Sequence, residues 1–318
     1  MDPAGFRRVV LKAGGWKGLS LAARLKGLWL VWAGFRQALG LIRSYRPQVC
    51  FGAGGYVTVP VGLAAWVLGV PLVIHEQNSR AGLSNKLLGR LAARVCLGFE
   101  EAAPFFPVGR TVITGNPVRQ EIAALHEKER SLNRRPPTIL VTGGSQGARA
   151  LNMAAAPALA GLIREGQAVN IIHQTGAADL EEVRRIYREA GAAAEVEEFF
   201  QDMAALYRRA DLVVCRAGAL TLSELAAAGL PSILVPLPTA ADDHQTLNAR
   251  FMEKAGAALL LPQAGLTSET LGAVLAGLLG DPEKMRGMSR AAASLARLDA
   301  DARLAGLCLE LAAESKKY

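Results

Sequence analysis

The residues most able to do chemistry stand in a glycine-rich turn, Thr142-Gly143-Gly144-Ser145-Gln146-Gly147-Ala148-Arg149, which follows the apolar run Thr138 to Val141 and opens a helical pattern. Glycines let backbone bend tightly and approach a ligand, while unpaired amides and the dipole at a helix start favour an anion such as a pyrophosphate. A packed strand-to-helix turn would use the same glycines. A second loop, Gly52-Ala53-Gly54-Gly55-Tyr56, has the same placement earlier in the chain. Neither carries the lysine and hydroxyl of a P-loop, or the GxGxxG with a downstream acid, which argues against ATPase and dehydrogenase readings.

A third segment, Arg216 to Glu224 (RAGALTLSE), follows the apolar run Leu212 to Cys215. Thr221 and Glu224 have the spacing of a helix capping box. A carboxylate at a strand's carboxyl end could equally accept both hydroxyls of a ribose. Asp242-Asp243-His244-Gln245 with Asn248 gathers polar side chains after Val235-Pro236, and amides suit sugar hydroxyls because they both donate and accept. His75 and Asn78 end another strand-like run, and Arg119 follows Gly115-Asn116-Pro117. His126 and His173 read as structural. The one D-x-D, Asp299-Ala300-Asp301, falls in a helical pattern, so neither a metal nor another cofactor is expected.

These loops need strands and helices to hold them. Apolar residues recur at helical spacing from Leu19 to Ile42, interleaved with Arg24, Lys26, Arg36 and Arg43. This helix packs on a sheet or lays Leu28, Trp29 and Trp32 on lipid. Strands are expected at Val49–Gly52, Pro71–Ile74, Arg94–Leu97, Thr111–Ile113, Thr138–Val141, Asn170–His173, Val196–Glu198, Leu212–Cys215, Ser232–Val235 and Ala258–Leu260. Alternation with helices gives an α/β fold of two doubly wound parallel-sheet domains. The charged, proline-closed stretch Glu127 to Pro137 suggests a division into residues 1–127 and 128–318.

Composition fits two such domains: 318 residues, 51% hydrophobic and 20% charged. The net charge of +8 is uneven, since residues 1–110 hold 14 Lys+Arg against 4 Asp+Glu, and the remainder 22 against 24. A basic N-terminal third suits an anionic membrane or a phosphate-bearing substrate. Nucleic acid is not expected, for want of a recognised binding motif. The single cysteines Cys50, Cys96, Cys215 and Cys308 show no metal-ligand spacing. Neither a membrane-spanning run nor a signal peptide is expected.

In order along the chain, GAGGYVTVP (52–60), HEQNSRAGL (75–83), TGNPVR (114–119), GGSQGARALN (143–152), RAGALTLSELAAAGLP (216–231) and DHQTLNA (243–249) closely resemble the MurG family. These are the UDP-N-acetylglucosamine:N-acetylmuramyl-(pentapeptide) pyrophosphoryl-undecaprenol N-acetylglucosamine transferases. The resemblance implies a GT-B fold, two Rossmann-like domains with a cleft between them. The C-terminal domain would take UDP-N-acetylglucosamine, and the N-terminal one an undecaprenyl-linked acceptor at the cytoplasmic face of the cell membrane. On matching positions Ser145 would hold the diphosphate, Phe200 the uracil and Glu224 the ribose, within a binding segment from Ala219 through Leu220, Thr221, Leu222 and Ser223. His244 and Gln245 would hold the sugar. Asn78 and Arg119 would complete that site, and Gly54, Gly55 and Tyr56 would face the acceptor. The family's opening strand and its glycine loop with a histidine, proposed as base, have no counterpart in Met1 to Arg8. The N-terminal domain is therefore expected to be incomplete and the base unidentified, with His75 a weak substitute. An inactive UDP-sugar-binding homologue and a 2-epimerase-like enzyme are the alternatives.

Overall fold

The computed structural model describes residues 8–11, 21–126, 132 and 136–315, with side chains omitted at 21–26, 28 and 241. Contacts divide the chain into two compact units, Met1–Gly115 with Asp299–Tyr318, and Asn116–Leu298. The expected division at 127/128 therefore differs from the compact units at both ends. Most of the Glu127–Pro137 stretch lies outside the described residues.

The first unit begins with α1 (Leu21–Tyr45), so the expected helix is present, its first two residues lying outside the description. A four-stranded parallel sheet follows in the order β1 (Cys50–Gly52), β2 (Leu72–Glu76), β3 (Arg94–Leu97), β4 (Thr111–Ile113). All five residues of β2 are buried, which is why its sequence, LVIHE, opens on a continuous apolar run instead of alternating, with the buried polar pair His75 and Glu76 at its carboxyl end. Helices α2 (Thr58–Val67) and α3 (Leu83–Leu88) connect the strands. Ala38 and Ile42 of α1 pack with Ala64 and Ala65 of α2.

The second unit starts with the short α4 (Gln120–Ala123) and is built on a six-stranded parallel sheet. Its strands are β5 (Thr138–Thr142), β6 (Asn170–Gln174), β7 (Ala194–Glu197), β8 (Leu212–Cys215), β9 (Ser232–Leu234) and β10 (Ala258–Leu260). Their order is β10-β9-β8-β5-β6-β7. Winding reverses between β5 and β8, and such a switch point opens a crevice beyond the strands' carboxyl ends. Helices α5 (Arg149–Arg164), α6 (Leu180–Glu189), α7 (Met203–Arg209), α8 (Ala219–Ala228), α9 (His244–Lys254), α10 (Ser268–Leu279) and α11 (Pro282–Ser294) complete the unit. Fully buried Leu151, Leu159, Ile139 and Val141 belong to its core, so the apolar face of α5 lies on β5.

The last helix, α12 (Ala300–Ser315), belongs to the first unit. Leu304 and Leu311 share a buried cluster with Val73 and Cys96 of the first sheet, and this apolar face explains why the chain returns.

Candidate active site

The β5–α5 turn is shaped by positive φ at Gly144 (+87°) and Gly147 (+76°). A Cβ on Gly147 would lie 2.1 Å from the carbonyl oxygen of Thr175, so only glycine fits where the turn crosses the β6–α6 loop. The amide of Gly144 donates to Thr142 Oγ1 at 3.2 Å, and that of Gly147 donates to Gly144 O at 3.1 Å. Ser145 and Gln146, at the tip, are exposed, and no protein acceptor among the described residues meets their amides. Two such amides beside the start of a 16-residue helix are the kind of group that attracts an anion.

Below the turn, a polar network that runs from exposed Arg149 to buried Asp179, Asn152 and His173 fixes the first residues of α5. Arg149 pairs with Asp179 at 2.5 Å and Glu182 at 3.0 Å. Asn152 donates to Thr175 O and to Asp179, both at 2.8 Å, and its Oδ1 is 3.2 Å from His173 Nε2. His173 Nδ1 in turn meets the hydroxyl of Tyr187 at 2.9 Å. Burial pushes the His173 pKa down to about 3, so the ring is neutral and structural, as the sequence suggested. His126 likewise serves packing, with Nδ1 at 3.1 Å from Ala227 O.

Across the switch point, α8 starts after Gly218, which stands as its N-cap without a side-chain cap. The capping-box reading of Thr221 and Glu224 is thereby overturned, because those residues lie inside the helix and not at its start. Glu224 instead accepts from Arg119 Nη2 at 3.1 Å and from the Tyr207 hydroxyl at 3.0 Å. Burial, first, and the nearby Glu224 charge hold the Tyr207 pKa well above its ordinary value, so the phenol keeps its proton and donates it. The Glu224 side chain is 18% exposed, reachable yet largely desolvated.

Arg119, Ser145, Phe200, Thr221, Glu224 and Gln245 line one cavity of about 360 Å³ together with Gly143, Gly144, Gln174, Tyr207 and Gly218. Six expected residues therefore converge at the switch point. The other expected members of α8 line no part of it: Ala219 and Leu222 are buried, Leu220 is exposed, and Ser223 bonds Ala219 O and Asn116, each at 3.0 Å. His244 begins α9 beside Gln245, whose Oε1 accepts from the Leu237 amide at 3.0 Å. Gln174, Tyr207 and Met203 went unnoticed in the sequence. Their signal was position: Gln174 ends β6, one residue beyond the expected strand.

In the first unit, Gly54 (φ +85°) and Gly55 (φ +81°) form the second turn, with Tyr56 exposed. Thr58 Oγ1 donates to Gly54 O, and Gln77 Nε2 donates to Ala53 O at 2.9 Å. Asn78 donates to the buried Glu76 carboxylate through its backbone amide (3.0 Å) and its side chain (3.3 Å). Glu76 also accepts from Gly82 N and Asn85 Nδ2, both at 2.9 Å. His75 is buried, with Nε2 3.1 Å from Gly115 O, and burial lowers its pKa. Its carbonyl partner can only accept, so Nε2 carries the proton and Nδ1 the lone pair. Among the described residues no three His, Cys, Asp or Glu side chains converge as a metal site.

Comparison with known proteins gives this geometry a family. Residues 138–304 match the glycosyltransferase family 28 C-terminal domain, and residues 3–97 the glycosyltransferase family 28 N-terminal domain. The UDP-N-acetylglucosamine--N-acetylmuramyl-(pentapeptide) pyrophosphoryl-undecaprenol N-acetylglucosamine transferase of Acidithiobacillus ferrooxidans is 47% identical over 310 residues, covering 97% of this chain and 85% of that protein. The chain belongs to this transferase family. The crystal structure of Acinetobacter baumannii MurG superposes with a TM-score of 0.76 at 37% identity, over 92% of this chain and 82% of the other. Both sheets are those of the GT-B architecture expected from the sequence. A Neisseria meningitidis UDP-GlcNAc 2-epimerase, bound to UDP-GlcNAc, matches with a TM-score of 0.63 at 12% identity over 93% of this chain and 84% of its own, a likeness of fold alone.

Proposed function

We propose that this glycosyltransferase moves N-acetylglucosamine from UDP-N-acetylglucosamine to the 4-hydroxyl of the muramyl residue in undecaprenyl-pyrophosphoryl-MurNAc-pentapeptide, a step of peptidoglycan synthesis. The observation that carries the reading is the meeting of a glycine turn at a helix start and a largely buried carboxylate in one cavity at the β5/β8 switch point. In this reading the amides of Ser145 and Gln146 take the diphosphate, Glu224 takes the ribose hydroxyls, Phe200 borders the uracil, and His244 with Gln245 holds the sugar. Arg119, 3.1 Å from Glu224, trades part of that ion pair for the donor. The acceptor hydroxyl attacks the anomeric carbon with inversion as UDP departs. Charge growing on the leaving diphosphate meets preorganised amides and the dipole of α5, electrostatic stabilisation that needs no reorganisation in the transition state.

Gly54, Gly55 and Tyr56 serve the acceptor's pyrophosphate by the same backbone logic. For docking on the anionic cytoplasmic face of the membrane, α1 offers Trp29 and Trp32, each 55% exposed, with Arg36 stacked 5.1 Å above the Trp32 ring. Trp66 and Val67 of α2 are equally exposed. Indole rings and arginines suit the interface between headgroups and acyl chains. Among the described residues no helix is long and apolar enough to cross a membrane.

Incubation with radiolabelled UDP-N-acetylglucosamine and the undecaprenyl-linked muramyl-pentapeptide tests the reading. The expected product is the lipid-linked disaccharide, with release of UDP. A folded chain that yields no disaccharide, or that converts the donor to UDP-N-acetylmannosamine without acceptor, would overturn it.

A further inference from the structure

We infer that Gln174 is a positioning residue that ties the diphosphate turn to the uracil segment, making one rigid donor site of two loops. The inference rests on the donor-site reading above. Gln174 ends β6 and is 2% exposed. Its Nε2 donates to Gly144 O at 3.0 Å and to Thr142 Oγ1 at 3.3 Å, while its Oε1 accepts from the Phe200 amide at 3.0 Å. The planar side chain thus spans from the β5–α5 turn to the segment after β7. Thr142 Oγ1 also accepts the amide of Gly144, so this glycine is held through both its carbonyl oxygen and its N–H.

A buried amide that saturates three groups on two loops differs from ordinary core packing. Unmaking it strips a partner from a carbonyl and from an N–H that are both partly shielded from water. Because Gly144 N–H and C=O are both fixed, the backbone leading into the exposed Ser145 and Gln146 is set before any ligand arrives. That preorganisation lowers the cost of binding a diphosphate, and Phe200 is set by the same plate of atoms. Base and diphosphate subsites should therefore respond together when the whole side chain is lost, and separately when only one end is changed.

Gln174→Glu changes one end. Its carboxylate still accepts from Phe200 N–H, but presents an oxygen to the Gly144 carbonyl, two acceptors facing each other. Burial raises the pKa of a carboxyl placed there, and protonation restores a donor to Gly144 O. The chain and this variant are titrated with UDP and with uridine from pH 8 to pH 5.5. The variant-to-native affinity ratio at each pH cancels the titration of UDP itself. UDP binding by Gln174→Glu is expected to be about tenfold weaker at pH 8 and to approach the native value at pH 5.5, with uridine binding little changed. Gln174→Leu is expected to weaken both ligands with no pH recovery. Thr142→Val, which removes a single hydroxyl, should weaken UDP and spare uridine.

The tie is also read without ligand, as exchange of the Phe200 amide hydrogen: faster in Gln174→Leu, near native in Gln174→Glu. A Gln174→Glu affinity ratio that stays flat with pH, or Phe200 exchange indifferent to Gln174→Leu, overturns the positioning role. Failure of the native chain to bind UDP would instead strike the donor-site reading, leaving amide exchange to decide the tie.

Discussion

Replacing Gly147 by alanine separates a glycine needed for space from one needed only for conformation. The added Cβ would sit 2.1 Å from Thr175 O, and φ at this position is +76°. The backbone conformation alone costs an alanine about 1–2 kcal/mol. Ordinary contact between heavy atoms is about 3.5 Å, so relief of the clash moves the turn by roughly 1 Å or more. A displacement of about 1 Å in a preorganised site costs on the order of 100-fold. Gly144 supplies the control: φ is +87°, but nothing lies within 4 Å of its added Cβ. There the conformational penalty acts alone, and UDP affinity should fall by about 30-fold at most. Isothermal titration of UDP into both variants, with thermal melts to confirm folding, gives the comparison. Gly147→Ala binding UDP as well as Gly144→Ala would refute the claim that close approach of the turn to Thr175 sets the anion site.

Tyr207→Phe removes the hydroxyl that holds Glu224 at 3.0 Å; we expect a loss of about 1–1.5 kcal/mol in UDP binding, with a smaller loss for 2′-deoxy-UDP, measured by competition titration. His173, with its pKa pushed to about 3 by burial, stays neutral when folded but takes up a proton below about pH 6.5 when unfolded. Its contribution to stability is complete above that pH and declines at about 1.4 kcal/mol per pH unit as pH falls toward 3. Chemical denaturation of His173→Gln between pH 6 and pH 4 should show a slope smaller by about one proton, and an unchanged slope would contradict the assignment. Trp29→Ser combined with Trp32→Ser should reduce sedimentation with vesicles of anionic phospholipid while leaving UDP affinity intact; equal sedimentation would remove α1 from the docking surface.

Much of this architecture was legible because parallel strands buried on both faces read as short apolar runs. Each of the ten expected strands is present, with ends displaced by no more than two residues. The glycine turn at 143–147 was equally plain, since positive φ and close approach both demand glycine. Thr221 and Glu224 misled, because a capping spacing carries no information about where the helix starts. Gly218 holds the N-cap, which leaves Glu224 free of that duty and available to Arg119 and Tyr207. Gln174 and Tyr207 escaped notice because their roles depend on partners far along the chain: Gly144 and Phe200 for one, Glu224 for the other. The return of α12 was hidden for the same reason, as an amphipathic helix does not name the sheet that covers it.

The measurement that bears most directly on the donor site is a crystal structure of the chain with UDP-N-acetylglucosamine. Diphosphate oxygens within hydrogen-bond distance of the Ser145 and Gln146 amides, with ribose hydroxyls on Glu224, are the expected result. Nucleotide density away from the β5/β8 switch point, with Glu224 still held by Arg119 and Tyr207 alone, would contradict the account.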